Sequence, residues 1–242
     1  IAFLIFGVIV GYNIENLPKQ LAEVSGTGGW VSLVFLTLVA ILVTYNLVYL
    51  GFIYEDRTLY YYSRRLTGEF IAKIIMFLYF FYFFMYFTFL SRILSESVKL
   101  TILFKTPIWA LMFFLLIVVY YAVTRGINGI ANFCELYSFI IIFSALLMFI
   151  VIFTQGEYLN LKPFFALSDI DKYFKAATLV VPFLGMEILT FIPINKKVNN
   201  NLYKNLFLII LLIGFLYIIQ FESSLSVVGV DDIVHYKNTL IA

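Results

Sequence analysis

Six apolar stretches, each at or near the length a helix needs to cross a bilayer, constrain this chain more than any other feature. They cover residues 30–54, 70–90, 107–123, 136–154, 176–194 and 206–219. A hydrocarbon core of about 30 Å asks for about 20 apolar residues in helical form. A membrane β-barrel would instead need strands of about ten residues with alternating polarity. Runs such as MFLYFFYFFMYFTFL (76–90) do not alternate, so helices are expected. The charge content agrees: 12% of residues are charged and 63% hydrophobic, against about 25% charged in a soluble domain. A core of this size cannot hide that deficit, because a globular surface still has to face water. The chain reads as an integral membrane protein.

The same arithmetic excludes other classes. Disordered chains are poor in apolar residues and rich in charge. Cys134 is the single cysteine, so no internal disulfide framework exists, and a net charge of +2 is too small for a nucleic-acid footprint. The chain opens at Ile1 without a methionine and closes on Thr239-Leu240-Ile241-Ala242. It therefore reads as part of a longer protein. Residues 1–10 are apolar but lack a basic flank and a small-residue cleavage site, which argues against a signal peptide.

Two segments carry breakers. At the N-terminus, residues 1–10 are too short to span alone, and 17–24 continue them only after Gly11-Tyr12-Asn13. Pro18 stands one turn into the second piece, where a missing N–H is tolerated. A first helix broken at Gly11–Asn13 is expected. The stretch 176–194 holds Pro182, Gly185 and Pro193 around Glu187, the single acid at membrane depth within VVPFLGMEILTFIP. Irregular backbone at that depth is tolerated where it lines a cavity or is buried in protein. Interrupted segments in corresponding positions of two repeats point to a transporter-type binding site. The broken helices fall first and sixth in order, so the first five-helix repeat covers about 1–155 and a second starts at about 174–242.

Polar connections separate the spans. Arg57, Arg64, Arg65, Arg125, Lys196, Lys197 and Lys204 fall on one side, and the connections 91–106, 155–175 and the tail 222–238 on the other. Lys and Arg divide eight to eight between the sides, so the count does not orient the chain; clustering favours the Arg57/Lys196 side as cytoplasmic. Tyr45, Tyr49, Tyr54, Tyr60, Tyr61, Tyr62, Trp30 and Trp109 sit near span ends, as interfacial anchors do.

Five motifs in order then carry a resemblance. They are Gly11-x-x-Ile14-x-x-Leu17-Pro18 with Gly29-Trp30-Val31-Ser32; Thr106-Pro107; Gly126-Ile127-Asn128-Gly129-Ile130-Ala131; Pro182-Phe183-x-Gly185-x-Glu187-Ile188-Leu189; and Ile192-Pro193. With these the chain resembles the spore germination permease family, the B subunits of nutrient germinant receptors, within the amino acid/polyamine/organocation transporter superfamily. The chain departs from that pattern near Asn132, where the family places an arginine. The resemblance implies an all-α polytopic membrane protein of the inverted-repeat, LeuT-like transporter fold, here with about seven transmembrane helices, the first and sixth broken, and later helices lacking. It implies a receptor subunit that binds a small nutrient, an amino acid by preference, in a central apolar cavity. Implied partners are the receptor's A and C subunits, and the implied location is the spore inner membrane or bacterial cell membrane. An ion-coupled amino acid transporter and a scaffold subunit with a vestigial cavity are the alternative functions.

The candidate ligand-binding residues are Gly11, Tyr12, Asn13, Tyr82, Gly185, Met186 and Glu187. Unwinding at Gly11–Asn13 would turn free N–H groups of the next half-helix toward the bilayer centre. A helix N-terminus carries about half a positive charge and suits a carboxylate. The alternative is that Asn13 or Glu15 caps those groups internally. Glu187 could pair with a ligand ammonium, hold a proton, or hydrogen-bond the unwound first helix; the bland reading is a neutral acid tying helices together. Gly185 beside it allows close backbone approach. Tyr79, Tyr82 and Tyr86 share a helix face and could wall an ammonium, against the simpler reading of lipid-facing aromatics. No catalytic residue, cofactor or metal site is expected: His235 has no ligand partners at zinc spacing, Cys134 no base, and no phosphate-binding loop or nucleophile elbow occurs. An enzyme is not expected.

Overall fold

The structure is a computed structural model and describes residues 1–13, 17–179, 181–196 and 201–235. Every regular element among the described residues is helical, making this an all-α polytopic membrane protein. The apolar stretches become α3 (Gly29–Ile53), α5 (Glu69–Thr101), α6 (Ile108–Thr124), α7 (Gly126–Gln155) and α9 (Leu202–Val228). Of these, α3 with the segment before it, α5, α7 and α9 are long and apolar enough to cross a membrane.

The N-terminal segment forms α1 (Ala2–Asn13) and α2 (Leu17–Ser25) on either side of residues that lie outside the described ones. Their characters differ. Apolar α1 buries Ile5, Phe6 and Ile9 completely. Amphipathic α2 buries Leu17, Pro18, Leu21, Ala22 and Ser25 while Gln20 and Glu23 face outward. Gly11–Asn13 close α1 as helix. The break expected at those three residues does not fall there, because glycine in an apolar helix is tolerated once its backbone bonds are made internally.

Of the four long apolar helices α9 is the most enclosed, and it packs on α1, α3 and α7. Apolar side chains do not drive association in lipid, so close fit must. The facing stripe of α3 consists of Gly29, Ser32, Leu33, Thr37, Ala40, Thr44 and Val48. Small residues at that spacing let the helices approach until Gly214 lies against Thr37, where an added Cβ would stand 2.3 Å from Oγ1. By contrast α6 buries no residue, and Phe77, Phe80, Phe81 and Phe84 of α5 point outward.

Three connections differ from expectation. Residues 55–69 hold α4 (Leu59–Thr67), which buries Leu59, Tyr62 and Ser63 on one face and ends on Arg64 and Arg65, cations that suit a helix C-terminus. Helix α5 runs on to Thr101 over 33 residues, about 50 Å at 1.5 Å per residue. Helix α9 continues to Val228 and so takes Glu222 out of the expected polar tail.

The sixth span behaves as its breakers predict. Helix α8 (Ile170–Leu179) ends early, residues 181–185 form turns, and the chain resumes as a 3-10 segment, Met186–Phe191. Gly185 enters that segment at φ +106°. Pro182 removes a backbone donor and Gly185 reverses the local hand, so an α-helix cannot continue through them.

Hydrogen bonds fix the two ends of the bundle. At one end the indole N–H of Trp30 donates to the Phe164 carbonyl at 2.9 Å, and the Ser32 hydroxyl to the Tyr173 carbonyl at 2.9 Å. At the other, the Asp56 N–H donates to the Ile194 carbonyl at 3.1 Å and the Asn195 side-chain amide to the Asp56 carboxylate at 2.8 Å. Arg57 and Lys196 therefore share an end. The α1–α2 segment and the sixth segment run in opposite senses, as Gly28 against Tyr173 and Gly185 against Val8 require.

Candidate functional site

Glu187 is the focus of the unwound sixth segment. Its Oε2 accepts the N–H of Gly185 at 2.9 Å, a bond available because the turn leaves that donor without a helical partner. Its Oε1 accepts the Tyr82 hydroxyl at 2.7 Å, which crosses from α5. The Thr190 hydroxyl donates to the Glu187 carbonyl at 2.8 Å, holding the 3-10 turn together. A carboxylate offers about four acceptor positions, so two bonds leave capacity for a further donor.

Aromatic side chains bind this segment to α5. The rings of Tyr79 and Phe83 meet Phe191 edge-on at 5.3 and 5.5 Å, a favoured geometry for such pairs. The α5 face bearing Tyr79, Tyr82, Phe83 and Tyr86 is half-buried, while Phe80, Phe81 and Phe84 are exposed. The outward face matches the lipid-facing reading, and the inward face packs on the sixth segment. Tyr62 of α4 reaches the Thr190 carbonyl at 3.5 Å. The sulfur of Met186 lies 3.9 Å from the Thr44 hydroxyl of α3.

Helix α1 supplies the opposite wall. Val8 touches Gly185 so closely that a Cβ there would stand 2.6 Å from Val8 Cγ1. The Ile9 carbonyl accepts the Tyr217 hydroxyl at 3.0 Å, and the Tyr217 ring meets Phe183 edge-on at 5.8 Å. One residue further along α1, Val10 borders an apolar cavity of about 70 Å³ between α7 and α9, with Ala145, Met148 and Leu216 among its walls. That volume holds a few water molecules at about 30 Å³ each, less than an amino acid needs.

The structure thus gathers Tyr82, Gly185 and Glu187 into one bonded cluster, with Met186 alongside facing α3. Glu187 bonds its own segment and α5 through its carboxylate. Gly11 lies exposed with open space around it. The side chains of Tyr12 and Asn13, and residues 14–16, lie outside the described ones. Val8, Thr44, Thr190 and Tyr217 join the site without having been singled out in the sequence, and Tyr62, expected as an interfacial anchor, is buried beside Thr190. Ordinary apolar and polar residues in helices carry no local signal of the partner they will meet. Among the described residues no group of three His, Cys, Asp or Glu side chains is placed to hold a metal.

Relatives in Bacillus subtilis (strain 168) include spore germination protein A2, 24% identical over 220 residues, covering 90% of this chain and 60% of that one. Spore germination protein YndE is 27% identical over 164 residues, covering 66% and 44%. Spore germination protein B2 is 28% identical over 153 residues, covering 60% and 40%. The chain spans between 40% and 60% of the length of these relatives. No solved structure matches it. A family of spore germination proteins, the spore permeases, matches residues 1–241. With apolar helices in the expected order and a match along nearly its whole length, the chain belongs to the spore permease family of spore germination proteins.

Proposed function

We propose that this protein is the membrane subunit of a germinant receptor and binds a small nutrient, an amino acid, beside the unwound sixth segment. The carrying observation is the cluster in which Tyr82 and the Gly185 N–H both hold the Glu187 carboxylate, within a segment packed on α1. An intramembrane acid held on an irregular backbone supports the reading of a functional site. The ligand ammonium takes the remaining acceptor positions of Glu187, with Tyr82 and Met186 beside it. The ligand carboxylate lies toward Gly11, Tyr12 and Asn13 and the N-terminal end of α2, since a helix N-terminus attracts an anion. The opposite senses of the two segments support an inverted-repeat, LeuT-like arrangement, with repeats of about 1–155 and about 174–242.

The contact between Val8 and Gly185 leaves little room, so binding selects a conformation in which α1 and the sixth segment separate. Differential affinity for that conformation shifts the population. Partner A and C subunits of the receptor in the spore inner membrane receive the change, and no chemical step on the nutrient is involved.

A thermal-shift panel of amino acids, sugars and nucleosides on wild type, Tyr82→Phe and Glu187→Gln tests the reading. A ligand at 100 times its Kd stabilises the folded state by about 2.7 kcal/mol. The expected result is one amino-acid class that shifts the wild type, with the affinity lowered at least about tenfold in Glu187→Gln, roughly 1.4 kcal/mol. Equal shifts in all three proteins would place the ligand elsewhere. No shift by any compound on folded protein would leave the scaffold role.

A further inference from the structure

Glu222 lies on α9, away from the cluster around Glu187, and has no place in the nutrient reading. Both its carboxylate oxygens are buried, and among the described residues neither has a hydrogen-bond partner. It borders an apolar cavity of about 300 Å³ between the end of α7, the turn Tyr158–Leu161 and α9. Phe149 and Ile152 of α7, Tyr158 and Leu161 of the turn, and Phe164 supply most of its wall. Among the described residues no lysine, arginine or histidine lines it, and Tyr158 is the other titratable side chain facing it. The remaining neighbours on α9 itself, Ile218, Ile219, Ser223 and Ser226, carry no charge.

A cover closes over this acid. One turn beyond Glu222, the Ser226 carbonyl accepts the Glu157 N–H at 2.9 Å and the Asn160 side-chain amide at 3.1 Å. Gly156 packs so tightly on α9 that a Cβ there would stand 2.7 Å from Ser226 Oγ. The Glu157 side chain itself is exposed. A carboxylate held from water with neither donor nor cation does not stay ionised; it takes up a proton instead.

We infer that Glu222 is a proton-binding site, neutral beneath the cover formed by residues 156–161 and ionised only when that cover lifts. On opening, the O–H bond of the acid breaks, the proton passes to water entering the cavity, and the carboxylate is left solvated. On closing, a proton returns to the same oxygen. Because one proton separates the two states, the uncovered-to-covered ratio rises by up to about tenfold per pH unit. The nutrient site and this proton site are separate claims and stand or fall independently.

Infrared spectroscopy with hydrogen exchange on the protein in lipid nanodiscs tests the inference. At neutral pH the wild type and Glu187→Gln should show the carbonyl band of a protonated carboxylic acid without hydrogen bonds, and Glu222→Gln should lack it. Exchange of the 156–161 amides should accelerate with pH faster in the wild type than in Glu222→Gln, the ratio growing by up to about tenfold per pH unit. A folded wild type without the band, a band that survives in Glu222→Gln, or equal pH dependence of exchange in both proteins overturns the assignment. If Glu222→Gln fails to fold, the wild-type titration decides. A band that persists after exposed carboxylates have ionised supports the site, and a band lost with them refutes it.

Discussion

Replacing Gly185 with alanine places one methyl group where the sixth segment touches α1, and its cost follows from two terms. The first is backbone. Gly185 sits at φ +106°, a region an L-residue enters at a cost of about 1–2 kcal/mol. The second is packing. The new Cβ would stand 2.6 Å from Val8 Cγ1, against an optimum of about 3.5–4.0 Å between carbon atoms. Val8 cannot swing aside, since a β-branched side chain in a helix has one strongly preferred rotamer. Overpacking of this kind costs about 1–3 kcal/mol, so Gly185→Ala should destabilise by about 2–5 kcal/mol in total. A double-mutant cycle with Val8→Ala separates the terms. Removing Cγ1 relieves the packing term and leaves the backbone term, giving a favourable coupling of about 1–3 kcal/mol. Equilibrium unfolding in mixed micelles would measure all four proteins. Additive changes, or a Gly185→Ala protein as stable as wild type, would refute the contact on which the closed arrangement depends.

Three further outcomes follow from the same geometry. Tyr217→Phe keeps the ring contact with Phe183 but removes the 3.0 Å bond to the Ile9 carbonyl. It should lower unfolding stability by about 0.5–1.5 kcal/mol, and an unchanged midpoint would count against the bond. Gly214→Val drives a side chain into Thr37, whose Oγ1 would stand 2.3 Å from the new Cβ. A loss of at least about 1–3 kcal/mol is expected, with partial rescue by Thr37→Ala in the same assay. Burial pushes the Tyr62 phenol up to about 12, so the folded state favours the neutral form. That contribution is complete below about pH 10, the ordinary phenol value, and is lost as pH rises toward about 12. Denaturant midpoints should fall across that interval in the wild type and fall less in Tyr62→Phe; parallel curves would contradict the burial of Tyr62.

Much of the architecture was legible because the bilayer turns folding into a one-dimensional problem. Length and apolarity alone located α3, α5, α6, α7 and α9, and the Pro182–Gly185 pair located the unwinding of the sixth segment. Boundaries were less legible where a helix leaves the apolar stretch. Helix α5 runs past Leu90 through SRILSESVKL because nothing there breaks a helix. Helix α4 forms in a polar connection because Leu59 and Tyr62 share a buried face, with α5 packed against the helix. At the N-terminus, Gly11 suggested a break that its own helix does not make.

The site divides in the same way. Glu187 and Gly185 declared themselves, one as an acid at membrane depth and the other as a glycine beside two prolines. Tyr82 was one of many aromatics on α5, and only the docking of the sixth segment distinguishes the face that bonds Glu187 from the face that meets lipid. Glu222 gave the opposite impression from its true setting: it reads as the start of a polar tail, yet α9 carries it under the 156–161 turn. Sequence determined which segments cross the membrane and where backbone regularity fails, since both depend on local hydrogen bonding and transfer from water. Tertiary structure decided which side chains meet across those segments, because apolar residues are equivalent toward lipid and only their fit against one another distinguishes them.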